Sequence, residues 1–341
     1  MLTSKAHQLG GGNLRVLVVG GAGYIGSHTV RELVGQGFSV RILDDLCTGS
    51  PSLVDNHELV VANMRDRHAV KEALNGVGAV IHFAAHAYVG ESVVDPRKYF
   101  ENNVGASLTL LNAIGESDVR LLVFSSSCAV YGIPERVPIQ EHDPCRPVNP
   151  YGVTKLFFEE ALRAYHRAYG LRSVSLRYFN AAGAHPSGEI GELHDPETHI
   201  IPCILRVAAG LQPHFEIFGD DYPTPDGTCI RDFVHVCDLA RAHVSALRHL
   251  LQGAECDAFN LGTGRGYSVR EVVAECERVT GRAISVKVTP RRAGDPPILL
   301  ADSSAAERVL QWKARHTLPE MVASAWCWLQ SQHQALTAHA D

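Results

Sequence analysis

The feature that most constrains this chain is a glycine-rich turn between a short apolar run and a helical pattern. Residues 14–19 are mostly β-branched and leucine and predict a buried strand, and residues 24–36 predict the helix that follows. The turn contains four glycines: Gly20, Gly21, Gly23 and Gly26. They match GxGxxG from Gly21 or GxxGxxG from Gly20. A strand, a tight glycine turn and a helix in this order predict a dinucleotide-binding unit, with the phosphates at the helix N-terminus.

The second predicted strand, residues 38–43, ends in an acid at the distance expected for such a unit. Asp44 lies about 20 residues beyond the glycines, where a carboxylate accepts hydrogen bonds from the adenosine ribose. A carboxylate there would repel a 2′-phosphate. The sequence therefore favours NAD over NADP.

Strand and helix patterns alternate over the first 180 residues, which predicts a doubly wound α/β fold (Rossmann) with a parallel sheet. Further strands are predicted at residues 60–62, 79–83, 121–125 and 173–176, and further helices at 66–74, 108–114 and 150–168. After Arg177 proline and glycine become frequent, and later short elements, such as residues 236–250 and 269–279, show a helical pattern. We therefore predict a flexible tail (1–13), a Rossmann domain (14–180) and a smaller, interleaved C-terminal lobe (181–341).

Composition excludes several classes of function. The 341 residues are 45% hydrophobic with a net charge of −6 and no basic run, which argues against nucleic acid and anionic membranes as partners. Nine cysteines without a CxxC predict neither a zinc site nor a disulfide framework, and fit reduced thiols in the cytoplasm. Eighteen histidines lie scattered without HExxH spacing, so no metal is expected. Residues 1–13 lack the apolar core of a signal peptide, and no apolar run reaches the ~18 residues of a membrane span.

A tyrosine and a lysine four residues apart provide candidate chemistry. Tyr151 and Lys155 share one face of a predicted helix. A nearby ammonium should lower the pKa of the phenol, so that Tyr151 can take a proton while a carbon loses hydride to the dinucleotide. Ser127 follows a predicted strand and can bond to the same substrate oxygen. YxxxK is common by chance, but its pairing with the glycine turn predicts a redox site.

With both motifs in place, the chain resembles the extended short-chain dehydrogenase/reductases and, among them, the UDP-glucose 4-epimerase family. The resemblance runs from about residue 15 to 328. The matching segments are residues 21–28, 82–85, 89–92, 125–127, 151–155, 177–180, 227–232 and 291–295.

The resemblance implies an NAD cofactor, a UDP-sugar substrate and a set of site residues. Implied catalytic residues are Ser127, Tyr151 and Lys155. Implied cofactor contacts are Gly20, Gly23, Tyr24, Ile25, Gly26, Asp44, Asn63, Met64, Phe83, Ala84, Ala85, Asn102 (or its neighbour Asn103), Ser125, Tyr151, Lys155 and Tyr178. Implied substrate contacts are Ser127, Tyr151, Asn180, His199, Ile200, Arg231, Arg292, Asp295 and Leu299, with the two arginines on the diphosphate.

The implied reaction interconverts UDP-galactose and UDP-glucose, with hydride leaving C4 and returning to the opposite face. Leu299 stands where some members carry a tyrosine, so a UDP-N-acetylglucosamine 4-epimerase remains open. Residues 87–90 leave a UDP-xylose/UDP-arabinose 4-epimerase open as well. Dehydratases and decarboxylases need an acid after the catalytic serine, but Cys128-Ala129-Val130 follows here.

Two other departures concern the cofactor. Val19 replaces the usual threonine before the glycines, and Asn63-Met64 replaces an Asp–aliphatic pair near the adenine.

A non-catalytic NAD-binding protein is the remaining alternative of a different class. The family also implies a homodimer, for which residues 108–114 and 156–168 are candidate interface helices.

Overall fold

The computed structural model describes residues 14–292 and 295–338, so the predicted tail (1–13) lies outside the described residues. The strands are β1 (Arg15–Val19), β2 (Ser39–Asp44), β3 (Glu58–Val61), β4 (Ala79–His82), β5 (Leu121–Ser127), β6 (Arg172–Tyr178), β7 (Asn180–Ala182), β8 (Phe215–Phe218), β9 (Ile230–His235), β10 (Cys256–Leu261), β11 (Gly266–Ser268), β12 (Val286–Thr289) and β13 (Ile298–Leu299).

The helices alternate with these strands in the first half of the chain and lie between shorter strands in the second. They are α1 (Tyr24–Gly35), α2 (Arg67–Leu74), α3 (Val89–Val94), α4 (Pro96–Tyr99), α5 (Ser107–Gly115), α6 (Pro150–Tyr169), α7 (Ile200–Ala208), α8 (Val236–Leu251), α9 (Val269–Thr280), α10 (Ser304–Leu310) and α11 (Leu318–Ala338). A π-helical segment, Phe100–Ala106, joins α4 to α5.

Seven of the strands form one parallel sheet in the order β10-β6-β5-β4-β1-β2-β3. In β1, Val16 and Val18 pack on the face covered by α1 and α8, while Leu17 and Val19 pack on the face covered by α2, α5 and α6. This alternation buries both faces, as a strand period of two requires. The predicted doubly wound fold is confirmed, and strand order reverses between β1 and β4, where such sheets bind ligands.

The smaller lobe is interleaved with the first, as predicted. In it β9 pairs with β7, β11 and β13, β8 pairs with β12, and α7, α9 and α11 enclose a separate apolar core. Between these pieces the chain returns to the large sheet, because α8 packs on α1 and β10 pairs with β6. Within the described ranges, none of the helices combines the length and apolarity needed to cross a bilayer.

Candidate functional site

The glycine turn follows GxxGxxG. Gly20 has φ +79°, and a Cβ there would lie 2.5 Å from the backbone nitrogen of Ala84. At Gly26 a Cβ would lie 2.1 Å from the carbonyl oxygen of Gly20, so α1 can begin against the turn only without a side chain. At Gly23 the nearest atom to such a Cβ is 3.5 Å away, which leaves that side open to a ligand. A Cβ at Gly21 would instead face the core, 2.9 Å from the Ile42 side chain.

Asp44 fastens this turn to the end of β2. Its two carboxylate oxygens accept hydrogen bonds from the backbone N–H groups of Ala22 and Leu46, each at 2.9 Å. Burial raises the pKa of Asp44, and these two bonds oppose the rise. Each oxygen keeps a second lone pair for a ribose hydroxyl.

The turn after β3 meets the residue next to Asp44. Asn63 donates its amide N–H to Asp45 at 2.6 Å, while its amide oxygen accepts from the backbone of Arg65 at 2.9 Å. One lone pair of the amide oxygen of Asn63, an implied cofactor contact, is thus engaged within its own turn. Met64 is buried in the core beneath.

The segment that follows β4 lies beside the glycine turn. Phe83 and Ala84 both donate backbone N–H groups to the carbonyl of Val19, at 2.8 and 3.1 Å, which places this segment beside the glycine turn. Asn103, in the π-helical segment, donates to the carbonyl of His86 at 2.9 Å and accepts from its N–H at 2.8 Å. Asn103 therefore positions the segment, and half-buried Asn102 lies beside it.

The candidate catalytic residues lie where β5 ends and α6 begins. Asn149 caps α6 by accepting from Gly152 at 2.8 Å, and a Cβ at Gly152 would lie 2.5 Å from the carbonyl oxygen of Ala129. This close approach brings Tyr151 next to Ser127, whose hydroxyl is near enough to affect the phenol. Lys155 donates its amine to the carbonyl of Ser125 at 2.7 Å.

The electrostatics of the pair differ from the expected lowering of the phenol pKa. Burial raises the pKa of Tyr151 well above its usual value, Tyr178 adds to the rise, and a hydrogen bond with Ser127 opposes it. Burial lowers the pKa of Lys155 to about 7, although Glu159 acts in the opposite direction. The prediction of a lowered Tyr151 pKa is wrong. Desolvation of the phenol dominates, and the Lys155 amine lies 5.7 Å from the Tyr151 ring centroid.

A buried charge pair holds α6 against β5 and β6. Glu159 accepts from Arg177 through both oxygens, at 3.0 and 2.6 Å, and from the Ser126 hydroxyl at 2.6 Å. Arg177 also donates to the Tyr131 hydroxyl at 2.8 Å. These bonds connect Ser126, in β5, to the helix that carries Tyr151.

The predicted substrate residues of the small lobe face the same end of the sheet. Arg231, in β9, donates to the carbonyl of Pro296 at 2.9 Å and lies 3.6 Å from Asp295. It is near enough to Cys128 to lower the pKa of that thiol, although burial has the larger, opposite effect. Leu299 stands opposite Arg231 in register and packs in the same apolar cluster as Cys128. Asn180 begins β7 and stands opposite Phe233 of β9.

A second group of predicted residues surrounds α7. His199 is its N-cap, Ile200 is its first residue, and the Arg292 guanidinium lies 3.7 Å from the centroid of the Phe218 ring. Burial alone would lower the pKa of His199, but the Glu192 and Glu197 carboxylates together outweigh it and raise the pKa to about 9.

Sequence reasoning missed Arg206, in the last turn of α7. Its Nε is buried and has no hydrogen-bond partner among the described residues. Arg206 and Arg292 both lie near enough to Cys203 to lower the pKa of its thiol against the larger effect of burial. The only sequence signal was a lone charge in an otherwise apolar helix.

Three comparisons place this geometry among known proteins. Residues 16–262 match the NAD dependent epimerase/dehydratase family. A curated UDP-glucose 4-epimerase from Halalkalibacterium halodurans is 48% identical over 92% of this chain and 95% of its own length. The crystal structure of UDP-glucose 4-epimerase from Brucella ovis in complex with NAD superposes with a TM-score of 0.90 at 51% identity, covering 92% of this chain and 97% of that one.

A third relative was crystallised with both ligands. The UDP-glucose-4-epimerase from Stenotrophomonas maltophila, with bound NAD and formylated UDP-arabinopyranose, superposes with a TM-score of 0.91. It is 43% identical, and the match covers 94% of this chain and 99% of that one.

Proposed function

The chain belongs to the NAD dependent epimerase/dehydratase family and, within it, to the UDP-glucose 4-epimerases, and from this premise we propose that it interconverts UDP-galactose and UDP-glucose. The observation that carries the proposal is the position of Ser127, Tyr151 and Lys155 at the carboxyl end of β5, two strands from the glycine turn at the same edge of the parallel sheet. The enzyme is an isomerase, and its cofactor is NAD.

The residues around the turn fit NAD. Gly20 and Gly26 leave no room for a Cβ, the open side of Gly23 admits a pyrophosphate, and Asp44 is placed to bind the adenosine ribose. When bound, NAD supplies the hydride acceptor for C4 of the sugar. Lys155 would hold the nicotinamide ribose, and Tyr178, whose hydroxyl bonds to Ser125, would line the same wall.

The protein's own residues then remove the proton and bind the UDP part of the substrate. Tyr151 removes the proton of the 4-hydroxyl, and Ser127 bonds to the same oxygen. Arg231 and Arg292 hold the diphosphate, His199 and Asn180 contact the nucleotide-sugar, and Asp295 contacts the uridine ribose. A firm grip on UDP and a loose grip on the hexose let the 4-ketose present its other face.

The direct test is a proton NMR time course on purified protein with UDP-galactose and no added cofactor. New anomeric signals of UDP-glucose would support 4-epimerisation with retained NAD. No conversion, even with added NAD, would overturn the proposed substrate, and UDP-arabinose would be tried next.

Replacing the proposed base should separate chemistry from binding. We expect Tyr151→Phe to lower kcat by about 10²–10⁴-fold, because the proton acceptor is lost while the ring still fills its site. NAD content, measured after acid extraction, should be unchanged. Tyr169→Phe is the matched control, since this exposed tyrosine lies at the end of the same helix. Full turnover in Tyr151→Phe would exclude Tyr151 as the base.

Leu299 gives a reason to test a second sugar. It lies across from Arg231 and beside Cys128, next to the proposed sugar-binding serine. We expect the chain to accept UDP-N-acetylglucosamine as well, and Leu299→Tyr to lower kcat/KM for that sugar by tenfold or more while sparing UDP-glucose. Equal losses for both sugars would contradict a role in selecting the 2-substituent.

Two further proposals concern the state of the protein. We propose a homodimer through α6, because Val153 and Phe157 are exposed there and Phe100 is exposed in the π-helical segment that packs on α6. The other candidate helix, α5, keeps most of its apolar residues in the core. We also propose a cytoplasmic location, which the nine free cysteines support.

A further inference from the structure

Four metal-ligating side chains converge in the segment between β7 and α7, outside the proposed catalytic group. They are Glu192, His194, Glu197 and His199. Each offers one ligand atom, and these atoms all lie within 4.8 Å of one another. Two imidazole nitrogens and two carboxylate oxygens therefore surround one point.

The cluster is partly buried. The side chains of Glu192 and Glu197 are each 5% exposed, that of His194 is 18% exposed and that of His199 is 37% exposed. Two carboxylates this close and this buried need positive charge between or beside them. A cation bound here would supply that charge and would replace the proton that His199 shares with Glu192.

His194 provides a second observation. Its Nδ1 is fully buried and makes no hydrogen bond within the described part of the chain, although it lies 2.8 Å from a Glu192 carboxylate oxygen. A buried nitrogen that makes no hydrogen bond and lies beside a carboxylate oxygen is available to bind a cation. The ring is held from two sides, edge-on to Tyr24 at 6.3 Å and to Tyr88 at 5.9 Å between centroids.

We propose that Glu192, His194, Glu197 and His199 bind a divalent cation of the zinc class in tetrahedral geometry. Zinc accepts imidazole nitrogen and carboxylate oxygen at about 2.0–2.2 Å, which puts tetrahedral ligands ~3.4 Å apart. The observed spread requires movements of only about an ångström. Magnesium fits poorly, since it prefers six oxygen ligands and keeps several waters.

Four protein ligands leave no open position, so the ion would be structural rather than catalytic. It would fasten the segment that precedes His199 and Ile200 to the ring of Tyr24, in the glycine turn. The indole N–H of Trp328 already holds the backbone of this segment, donating to the carbonyl of Glu192 at 2.9 Å. The metal would therefore link the two proposed binding sites through one loop.

This proposal departs from the sequence expectation that no metal binds. The four residues are spaced E-x-H-x-x-E-x-H and lie in a loop, so they do not match the helical HExxH motif of zinc sites. The fold of this loop brings the four side chains together.

The experiment is a Co²⁺ titration of tag-free, chelator-treated full-length protein, followed by absorbance. We expect one equivalent to give the visible bands of tetrahedral Co²⁺, without the near-ultraviolet thiolate band that its cysteines would produce, and Zn²⁺ to bleach them. Glu192→Gln and His194→Ala should lose the bands. His214→Ala, a half-buried histidine beside Glu216, should keep them. No bands in the native protein, a thiolate band, or bands unchanged in both variants would overturn the proposal.

Thermal melts give a second readout if one variant folds poorly. Zn²⁺ should raise the Tm of the native protein and of His214→Ala, and leave that of His194→Ala unchanged. An equal rise in all three would show binding elsewhere and overturn the site. Neither measurement depends on turnover. A negative result for metal binding can therefore be told apart from an absence of the proposed epimerase activity.

Discussion

Lys155 shows how a functional residue opposes stability. Its amine is buried and its pKa is lowered from 10.5 to about 7. Between those two pH values the unfolded chain holds a proton that the folded protein does not. The free energy of unfolding therefore falls as pH drops from 10.5 towards 7 and stays reduced below that.

We expect Lys155→Met to abolish most activity and to stabilise the protein. Removing the buried amine relieves a cost of several pKa units, and loses one hydrogen bond to Ser125, for a net gain of about 1–3 kcal/mol near pH 7. The Tm of the variant should exceed that of the native protein by a few degrees at pH 7, with the difference fading towards pH 10.

Lys71→Met is the control for this measurement. Its amine is half exposed and bonds to Glu116, so its loss should change the Tm little and with no such pH trend. A Lys155→Met protein that is less stable than the native one at pH 7 would mean that the amine is charged and well compensated.

At the scale of single residues, the sequence predicted where side chains lie better than it predicted their pKa values. The spacing of Tyr151 and Lys155 follows from helix periodicity alone. The pKa values depend on burial, and burial depends on Ser125, Tyr178 and other residues distant in sequence. The Glu159–Arg177 pair could not be predicted from the sequence either, because it joins α6 to β6 only after the sheet has formed.

At the scale of elements, the glycine turn was the most predictable part. A β-branched run, glycines and a helix are local signals, and β1 and α1 lie within one residue of the predicted bounds. The choice between the two glycine patterns was not local. It rests on the approach of Ala84 to Gly20, from a strand 60 residues further along the chain.

Strand β10 was not predicted, for a related reason. Cys256–Leu261 contains Asp257 and Asn260, which interrupt the apolar pattern. Asn260 is nonetheless buried, since the Tyr131 hydroxyl donates to its amide at 2.7 Å. Pairing with β6 and a tertiary hydrogen bond outweigh weak local propensity there.

We expect Gly26→Ala to abolish NAD retention. The added Cβ would lie 2.1 Å from the Gly20 carbonyl, so α1 must shift away from the turn that is proposed to hold the phosphates. The shift should also destabilise the protein by about 1–3 kcal/mol, as overpacked sites do. Acid extraction followed by NAD quantification, together with thermal melts, measures both effects.

Gly35→Ala is the matched control on the same helix. A Cβ at Gly35 meets no atom within 4 Å, so NAD content should be unchanged and stability should rise slightly. Native NAD content in Gly26→Ala would contradict the role given to the turn.

At the scale of the whole molecule, one surface remains apolar although the core is complete. Phe157 and Val153 are 43% and 37% exposed on α6, and Phe100 is 42% exposed in the adjoining π-helical segment. Val93 and Val94 are exposed as well, on α3, which packs on α6. Monomers rarely leave such a contiguous patch uncovered, and a twofold contact would bury it against its own copy.

We expect Phe157→Asp to convert the proposed homodimer to a monomer, because a charge at the centre of a self-complementary apolar contact faces its own copy. Light scattering during size-exclusion chromatography measures the mass directly. Leu211→Asp is the matched control, as Leu211 is equally exposed, at 43%, but follows α7 in the small lobe. A native protein of monomer mass would refute the dimer. A Phe157→Asp variant that keeps the dimer mass would move the interface away from α6. Since α6 also carries Tyr151 and Lys155, a monomer with reduced turnover would connect assembly to the position of the proposed base.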